Sequence, residues 1–364
     1  MLSTRGSRAS LIGAAIATAL VTAAAPSAAD TVRNGRIAYT RSESTTSPAT
    51  SLWTVEPSGA ARRRVLSDAK DPAFTASGRR VVYAHGDPLF RAFPDGSHVR
   101  QLTTPDYSDF LPSYSRSGHL IAFQRGYDYG EDEGFSWIYV MRADGTHARR
   151  LTPERAISWS PRIAPDDEQV VWSSEVRVGG HYEYDLISAG VDGSHRHRLT
   201  TTDHADERDP EFSPHGRQIV FARVTGADTT HENSDIYVMN RDGTHVRRLT
   251  RTDDVYEEQP QFSPDGRRIL FETSPHDQGS FHNRDIAVMK RDGSERRRLT
   301  SSADDEYRAH YAPDGRRVAY TRYDGNQADV YVVPASGGTR TRVTVTGRSE
   351  RAVAWLPATA AESR

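Results

Sequence analysis

One unit recurs along nearly the whole chain. It reads F-S-P-D-G-R-x-I-x-F, then D-I-x-V-M, then R-D-G-[ST] and R-R-L-T, most plainly from Phe212 to Thr250 and from Phe262 to Thr300. Aligned on the turn glycine, the copies fall at Gly35, Gly78, Gly118, Asp167, Gly216, Gly266 and Gly315, with Asp167 standing in for glycine and steps of 40 to 50 residues. A period of that length means a stacked array of small supersecondary units, with propellers foremost among the architectures it allows.

Each unit holds four short runs. The second is a triple of apolar residues: Ile37-Ala38-Tyr39, Val81-Val82-Tyr83, Ile121-Ala122-Phe123, Val170-Val171-Trp172, Ile219-Val220-Phe221, Ile269-Leu270-Phe271 and Val318-Ala319-Tyr320. Consecutive apolar residues without helical spacing predict strands buried on both faces, as in a sheet held between two other sheets. The aromatic that ends each triple is expected to be packed, at roughly 1.5–3 kcal/mol each if fully buried. Ser263-Pro264-Asp265-Gly266 suits a type I turn. Asp-Gly pairs such as Asp242-Gly243 supply the positive φ of a tight hairpin. Turn geometry already accounts for these aspartates, so they carry no chemistry here.

The first unit lacks its opening strand. Arg351 to Pro357 matches Glu258 to Pro264, with Trp355 in the place of Phe262. The expected fold is therefore all-β, a seven-bladed β-propeller of four-stranded blades with the C-terminal strand closing the first blade. Such closure removes exposed sheet edges.

Residues 1–29 read as a secretory signal peptide: Arg5 and Arg8, an apolar run from Leu11 to Ala25, then the small residues Ser27-Ala28-Ala29. The expectation is a secreted or periplasmic, envelope-exposed protein with no stable membrane insertion after cleavage. The propeller then covers 30–357 and a short tail 358–364. The chain has no cysteine, so its stability must come from packing and closure. Setting aside Arg5 and Arg8 takes the formal charge from −2 to −4, too balanced for a nucleic-acid binder. The pairs Arg149-Arg150, Arg247-Arg248 and Arg297-Arg298 read as solvated outer-strand arginines opposing aggregation.

F-S-P-D-G-R-R-I-L-F, D-I-Y-V-M-N-R-D-G-T and R-R-L-T resemble the WD-repeat-like propeller repeats of the TolB family, over about Asn34 to Pro357. That resemblance implies a propeller and is weak for function. The family's own propeller has six blades behind a separate N-terminal domain and a lipoprotein partner, whereas seven units are counted here. The repeats are also similar to the propeller of prolyl oligopeptidase-type enzymes. Those carry a serine nucleophile on an accompanying hydrolase domain, and this sequence has no G-x-S-x-G elbow. A third resemblance is to oligogalacturonate lyases, which implies seven blades and a metal held by histidines and a glutamine near the channel.

In a propeller the first strand of each blade lines the central channel, and its entrance end adjoins variable loops, which is where recognition usually sits. Ser173 to Glu183 and Gln124 to Ser136 are two such loops. The candidate ligand-binding residues at the channel mouth are Asp71, Trp159, Arg208, Asp209, Glu258, Tyr307, Arg308 and Arg351. The mixture suits a polar or sugar-like ligand or an acidic peptide, and equally a water-filled channel whose charges pair with one another. One pleat deeper, Gln261 and His310 are the candidates for a divalent metal. His181, His204, His231, His276 and His282 fall on entrance-face loops. Tyr127 to Gly134 holds four carboxylates in six residues but lacks the EF-hand spacing, and reads as a solvated acidic loop. The leading expectation is a non-catalytic propeller binding a protein or glycan, with no required cofactor. The alternative is a metal-dependent polysaccharide lyase or hydrolase.

Overall fold

The computed structural model describes residues 32–43, 50–104, 106–126, 134–226, 233–253, 255–275 and 283–358. The N-terminal segment read as a signal peptide, the acidic loop up to Glu133, and His231, His276 and His282 lie outside them. Among the described residues there are twenty-eight strands and no helix. No helix among them is long and apolar enough to cross a membrane.

The strands form five four-stranded sheets and one of eight. Lys70–Phe74, Val81–Ala84, Leu89–Ala92 and Arg100–Gln101 make one sheet in chain order, and the pattern repeats along the chain. The eight-stranded sheet consists of two such sets, residues 205–248 and 255–298, joined by a single parallel bridge between Ser234 and Tyr256. Glu350–Pro357 pairs antiparallel with Asn34–Ser42, so the last strand of the chain supplies the strand missing from the first set.

The apolar triples are buried as their pattern requires. Tyr39, Tyr83, Phe123, Trp172, Phe221, Phe271 and Tyr320 are at most 4 % exposed. They sit in clusters that span neighbouring sheets: Val171, Leu186 and Leu199 meet Phe212, Ile219 and Phe221. Across the two chain ends, Ile37, Tyr39 and Trp355 meet Ala319, Val330 and Val332.

Both turn families take the expected form. The Gly266 N–H donates to the Ser263 carbonyl at 2.8 Å. Asp167, in the glycine's place, adopts a left-handed φ of 64°, which aspartate tolerates better than most residues. The Asp-Gly glycines also lie tight against the preceding sheet: a Cβ on Gly96 would sit 2.2 Å from the Val65 carbonyl oxygen.

The R-R-L-T run lies on the outermost strand, with Arg149, Arg150, Arg247 and Arg298 exposed as expected, and it is also a tie between and within sheets. The first arginine reaches the next set: Arg247 donates to the Asp292 carbonyl at 2.9 Å and Arg297 to that of Ala335 at 2.7 Å. The second pairs with a buried aspartate on the third strand of its own set, Arg248 with Asp235 and Arg298 with Asp285. The threonine hydroxyl accepts from the third strand's backbone, as Thr250 does from Ile236 at 2.9 Å, and donates to the same aspartate. A fully buried glutamate on the first strand completes the device: Glu257 meets Arg296 at 2.5 Å and Glu306 meets Arg340 at 2.8 Å. The carboxylates are buried while the arginines that pair with them reach solvent, so stranding a carboxylate is the costly change.

Candidate functional site

The first strands lie side by side. Glu350–Pro357 contacts both Lys70–Phe74 and Asp305–Tyr311, and Ala205–Phe212 contacts both Ser158–Ile163 and Val255–Phe262. Near the middle of six of these strands a residue breaks register with its partner and turns left-handed: Asp71, Leu111, Ser160, Asp209, Gln259 and Arg308, with φ between 46° and 54°. Each is a β-bulge, and bulges re-aim side chains next to functional sites. The proline that follows in five of the six (Pro72, Pro112, Pro161, Pro210, Pro260) has no N–H to lose from the ladder.

Two groups of predicted residues come together. In the first, Trp159 meets Tyr184 with ring centroids 4.2 Å apart, and the Arg208 guanidinium lies 5.7 Å from the Tyr184 ring. Arg208 is held at 2.7 Å by Asp206, which also accepts the Tyr184 N–H. Ile157 and Gly134 complete a cavity of about 470 Å³. In the second, Arg284 binds Asp305 through two nitrogens at 2.9 and 2.7 Å and lies 3.7 Å from both Glu258 and Glu272. Its guanidinium sits over the Tyr307 ring at 4.5 Å. The Arg308 N–H donates to Glu272 at 2.6 Å, and Arg351 donates to the Tyr307 hydroxyl at 3.3 Å. Asp209 accepts the Gln259 N–H at 3.4 Å and faces this group from the neighbouring set. Among the described residues no side-chain hydrogen bond or ion pair ties Asp71 to either group.

One pleat deeper, side chains lace adjacent first strands. Ser113 donates to the Pro161 carbonyl, Arg162 to Glu211 at 3.0 Å, and the Gln261 amide to the Ala309 carbonyl at 2.5 Å. Glu211 keeps 37 % of its side-chain surface accessible, yet burial raises its pKa, the combination expected of a group lining a narrow wet channel. Burial, with Arg308 and Arg162 nearby, pushes His310 down to about 4, so its imidazole is neutral at neutral pH.

Glu272, Arg284, Asp305, Tyr184 and Asp206 were not among the residues anticipated from the sequence. Glu272 had a signal: it follows the buried aromatic, where the other units place Thr40, Ala84, Gln124, Ser173, Ala222 and Thr321. Ser173 to Glu183, expected as a loop, instead extends two strands, Gln169–Val178 and His181–Gly190, closed by Gly179-Gly180 with both glycines left-handed.

Burial and the adjacent Glu258 carboxylate push Glu272 up to about 8, against Arg284. Burial opposes the charge on Arg284, but Asp305, Glu272 and Glu258 outweigh it and raise its pKa. A glutamate whose folded pKa is raised binds its proton more tightly folded than unfolded. Its contribution is fully present below the unfolded value of 4.5 and is lost as pH rises through about 8. His310 acts in the opposite sense between about 4 and 6.5, and buried Glu207, raised to about 7, acts in the same sense as Glu272 below that value. This leaves the upper part of the range, up to about 8, as the window for Glu272. Stability from denaturant titrations is expected to fall with pH across that window, and Glu272→Gln to flatten the slope. Equal slopes for both proteins would show that Glu272 does not titrate there.

No family model matches the sequence, and no curated protein does. Solved structures do. TolB from Acinetobacter baumannii aligns with a TM-score of 0.55 at 19 % identity, over 89 % of this chain and 67 % of its own. The β-propeller domain of the Trilobed protease from Pyrococcus furiosus, which has an open velcro topology, gives 0.64 at 11 % identity, over 86 % of this chain and 93 % of its own. The fold is a TolB-like β-propeller. An oligogalacturonate lyase in complex with manganese also superposes on this TolB-like propeller, with a TM-score of 0.59 at 14 % identity over 86 % of both chains. At such identities the likeness is one of fold, and it includes enzymes beside TolB.

Proposed function

We propose that this chain is an exported seven-bladed propeller, closed by its C-terminal strand, that binds an acidic glycan at the channel mouth without chemistry. Seven matching four-stranded sets and the pairing of Glu350–Pro357 with Asn34–Ser42 support the closed ring. The first 29 residues support export to the cell envelope or beyond.

The observation that carries the ligand class is the cavity walled by Trp159, Tyr184 and Arg208. Adjacent aromatic faces take the apolar face of a sugar ring, while a guanidinium and carboxylate such as Arg208 and Asp206 serve its hydroxyls. Arg308 is exposed, and among the described residues its guanidinium has no carboxylate partner; Arg351 meets only the Tyr307 hydroxyl. Cations left unpaired at a channel mouth favour a ligand bearing carboxylates.

Calorimetry with neutral and uronic-acid oligosaccharides tests this reading. Trp159→Ala is expected to weaken binding at least tenfold for both classes. Arg308→Ala with Arg351→Ala is expected to weaken the acidic class selectively. Arg208 is kept in that variant because its loss would strand Asp206. If no oligosaccharide binds, or Trp159→Ala binds as well as the native chain, the glycan reading fails. The neutral His310 and the raised Glu272 favour the enzyme as a second reading. Absorbance of an unsaturated uronic-acid product during the same incubations would establish it in place of a binding role.

A further inference from the structure

His181 is the first residue of the strand His181–Gly190, directly after the Gly179-Gly180 turn. Glu183 follows two residues later, and the two-residue period of a strand places both side chains on one face. His204 lies in the segment that leads into the next set and is left-handed, with φ 57°. Its N–H donates to Glu183 Oε1, and His181 Nε2 lies 2.7 Å from the same oxygen. The two imidazoles stack with centroids 4.7 Å apart and an angle of 9° between the rings. One nitrogen from each ring and one carboxylate oxygen fall within 4.8 Å of one another.

Glu183 is 2 % exposed, and its Oε2 has no hydrogen-bond partner. Such an orphaned buried oxygen on a charged group is costly unless a cation satisfies it. The imidazoles are reachable from solvent: His181 is half-buried and His204 exposed. Tetrahedral bonds of about 2.0–2.2 Å place donors roughly 3.3–3.6 Å apart. The His181–Glu183 pair must therefore open slightly from 2.7 Å and the widest pair, at no more than 4.8 Å, must close, which rotation of the solvent-touching rings supplies.

We propose that His181, Glu183 and His204 bind one divalent transition ion of the zinc class. Two imidazoles and one carboxylate select such an ion over calcium or magnesium, which prefer all-oxygen shells. Three protein ligands leave a fourth position to water. The ion links the hairpin of one set to the lead-in of the next, bridging two neighbouring sheets. It is distinct from the Gln261 and His310 pair of the channel. It is also distinct from the glycan cavity: Glu183 and Tyr184 are consecutive on one strand and face opposite ways.

The test is titration calorimetry of the chelator-treated protein with zinc chloride, paired with visible absorption after cobalt substitution. One equivalent of zinc is expected to bind, the melting temperature to rise, and cobalt to give the ligand-field bands of a low-coordinate histidine site. His181→Ala and His204→Ala change solvent-touching side chains, so both variants should fold. Each is expected to weaken uptake by more than the roughly 10–100-fold seen when a metal ligand's supporting partner is lost. His245→Ala, on an exposed turn, is expected to leave uptake unchanged. Absence of zinc binding overturns the proposal, as does binding whose affinity survives the combined His181→Ala and His204→Ala change.

Discussion

A chain ending at Gly347 is expected to lose its cooperative fold. The strand Glu350–Pro357 that it lacks is bonded on both sides. It pairs with Asn34–Ser42, and the Ala352 N–H donates to Thr321 of the last set at 2.9 Å. Trp355 is buried between the two chain ends among Ile37, Val55 and Ala319, and its indole N–H donates to the Gly35 carbonyl at 3.1 Å. Without this strand, one face of the last set and one edge of Asn34–Ser42 become solvent-exposed, and an open apolar edge recruits other chains. Trp355→Ala alone is expected to cost about 3–5 kcal/mol. Size-exclusion chromatography and thermal melting decide the matter. A truncated chain that stayed monodisperse with an unchanged melting temperature would refute closure of the ring through this strand.

Arg284→Met is expected to destabilise the protein by about 3–5 kcal/mol, the usual cost of removing one partner from a buried ionic group. Arg284 faces three carboxylates, Asp305, Glu258 and Glu272, and methionine offers none of them a donor. Pairing the change with Asp305→Asn removes the carboxylate that depends most on it, through two bonds, and should return part of the loss. Denaturant unfolding of the single and double variants measures the coupling. If Arg284→Met proved no less stable than the native chain, the cluster would be loosely solvated instead of a tight ionic frame. Its value as a preorganised site would go with it.

The fold was legible because its signals are local. A turn glycine, an apolar triple and an Asp-Gly pair each dictate their own geometry, and seven copies fix the period. Asp167 was aligned with the turn glycines, and it shares their positive φ. The ties made by the R-R-L-T run were not legible because they depend on neighbours far away in the sequence: Arg247 reaches Asp292, and Arg297 reaches Ala335. The candidate site was half legible. Alignment placed Trp159, Arg208, Glu258, Tyr307 and Arg308 on the repeated first strand, where the structure has them. It missed Tyr184 and Arg284 because they come from a third strand and from the lead-in to one, and Asp305 because it opens its first strand, outside the aligned positions. The partnership of His181 with His204 was hidden too, since both histidines were found but nothing local joins them.

Six first strands carry a left-handed bulge at the same place, and its occupants are Asp71, Leu111, Ser160, Asp209, Gln259 and Arg308. A non-glycine residue in that conformation is strained by on the order of 1 kcal/mol or more, and the frame bears this cost whichever of these side chains is present. Acid, amide, hydroxyl, base and hydrocarbon are thus interchangeable there as far as the backbone is concerned. Under the proposed binding role, these six positions are sockets that accept different plugs. New specificities could be drafted by combinatorial replacement at these six positions, with selection acting on recognition while the scaffold beneath keeps its shape.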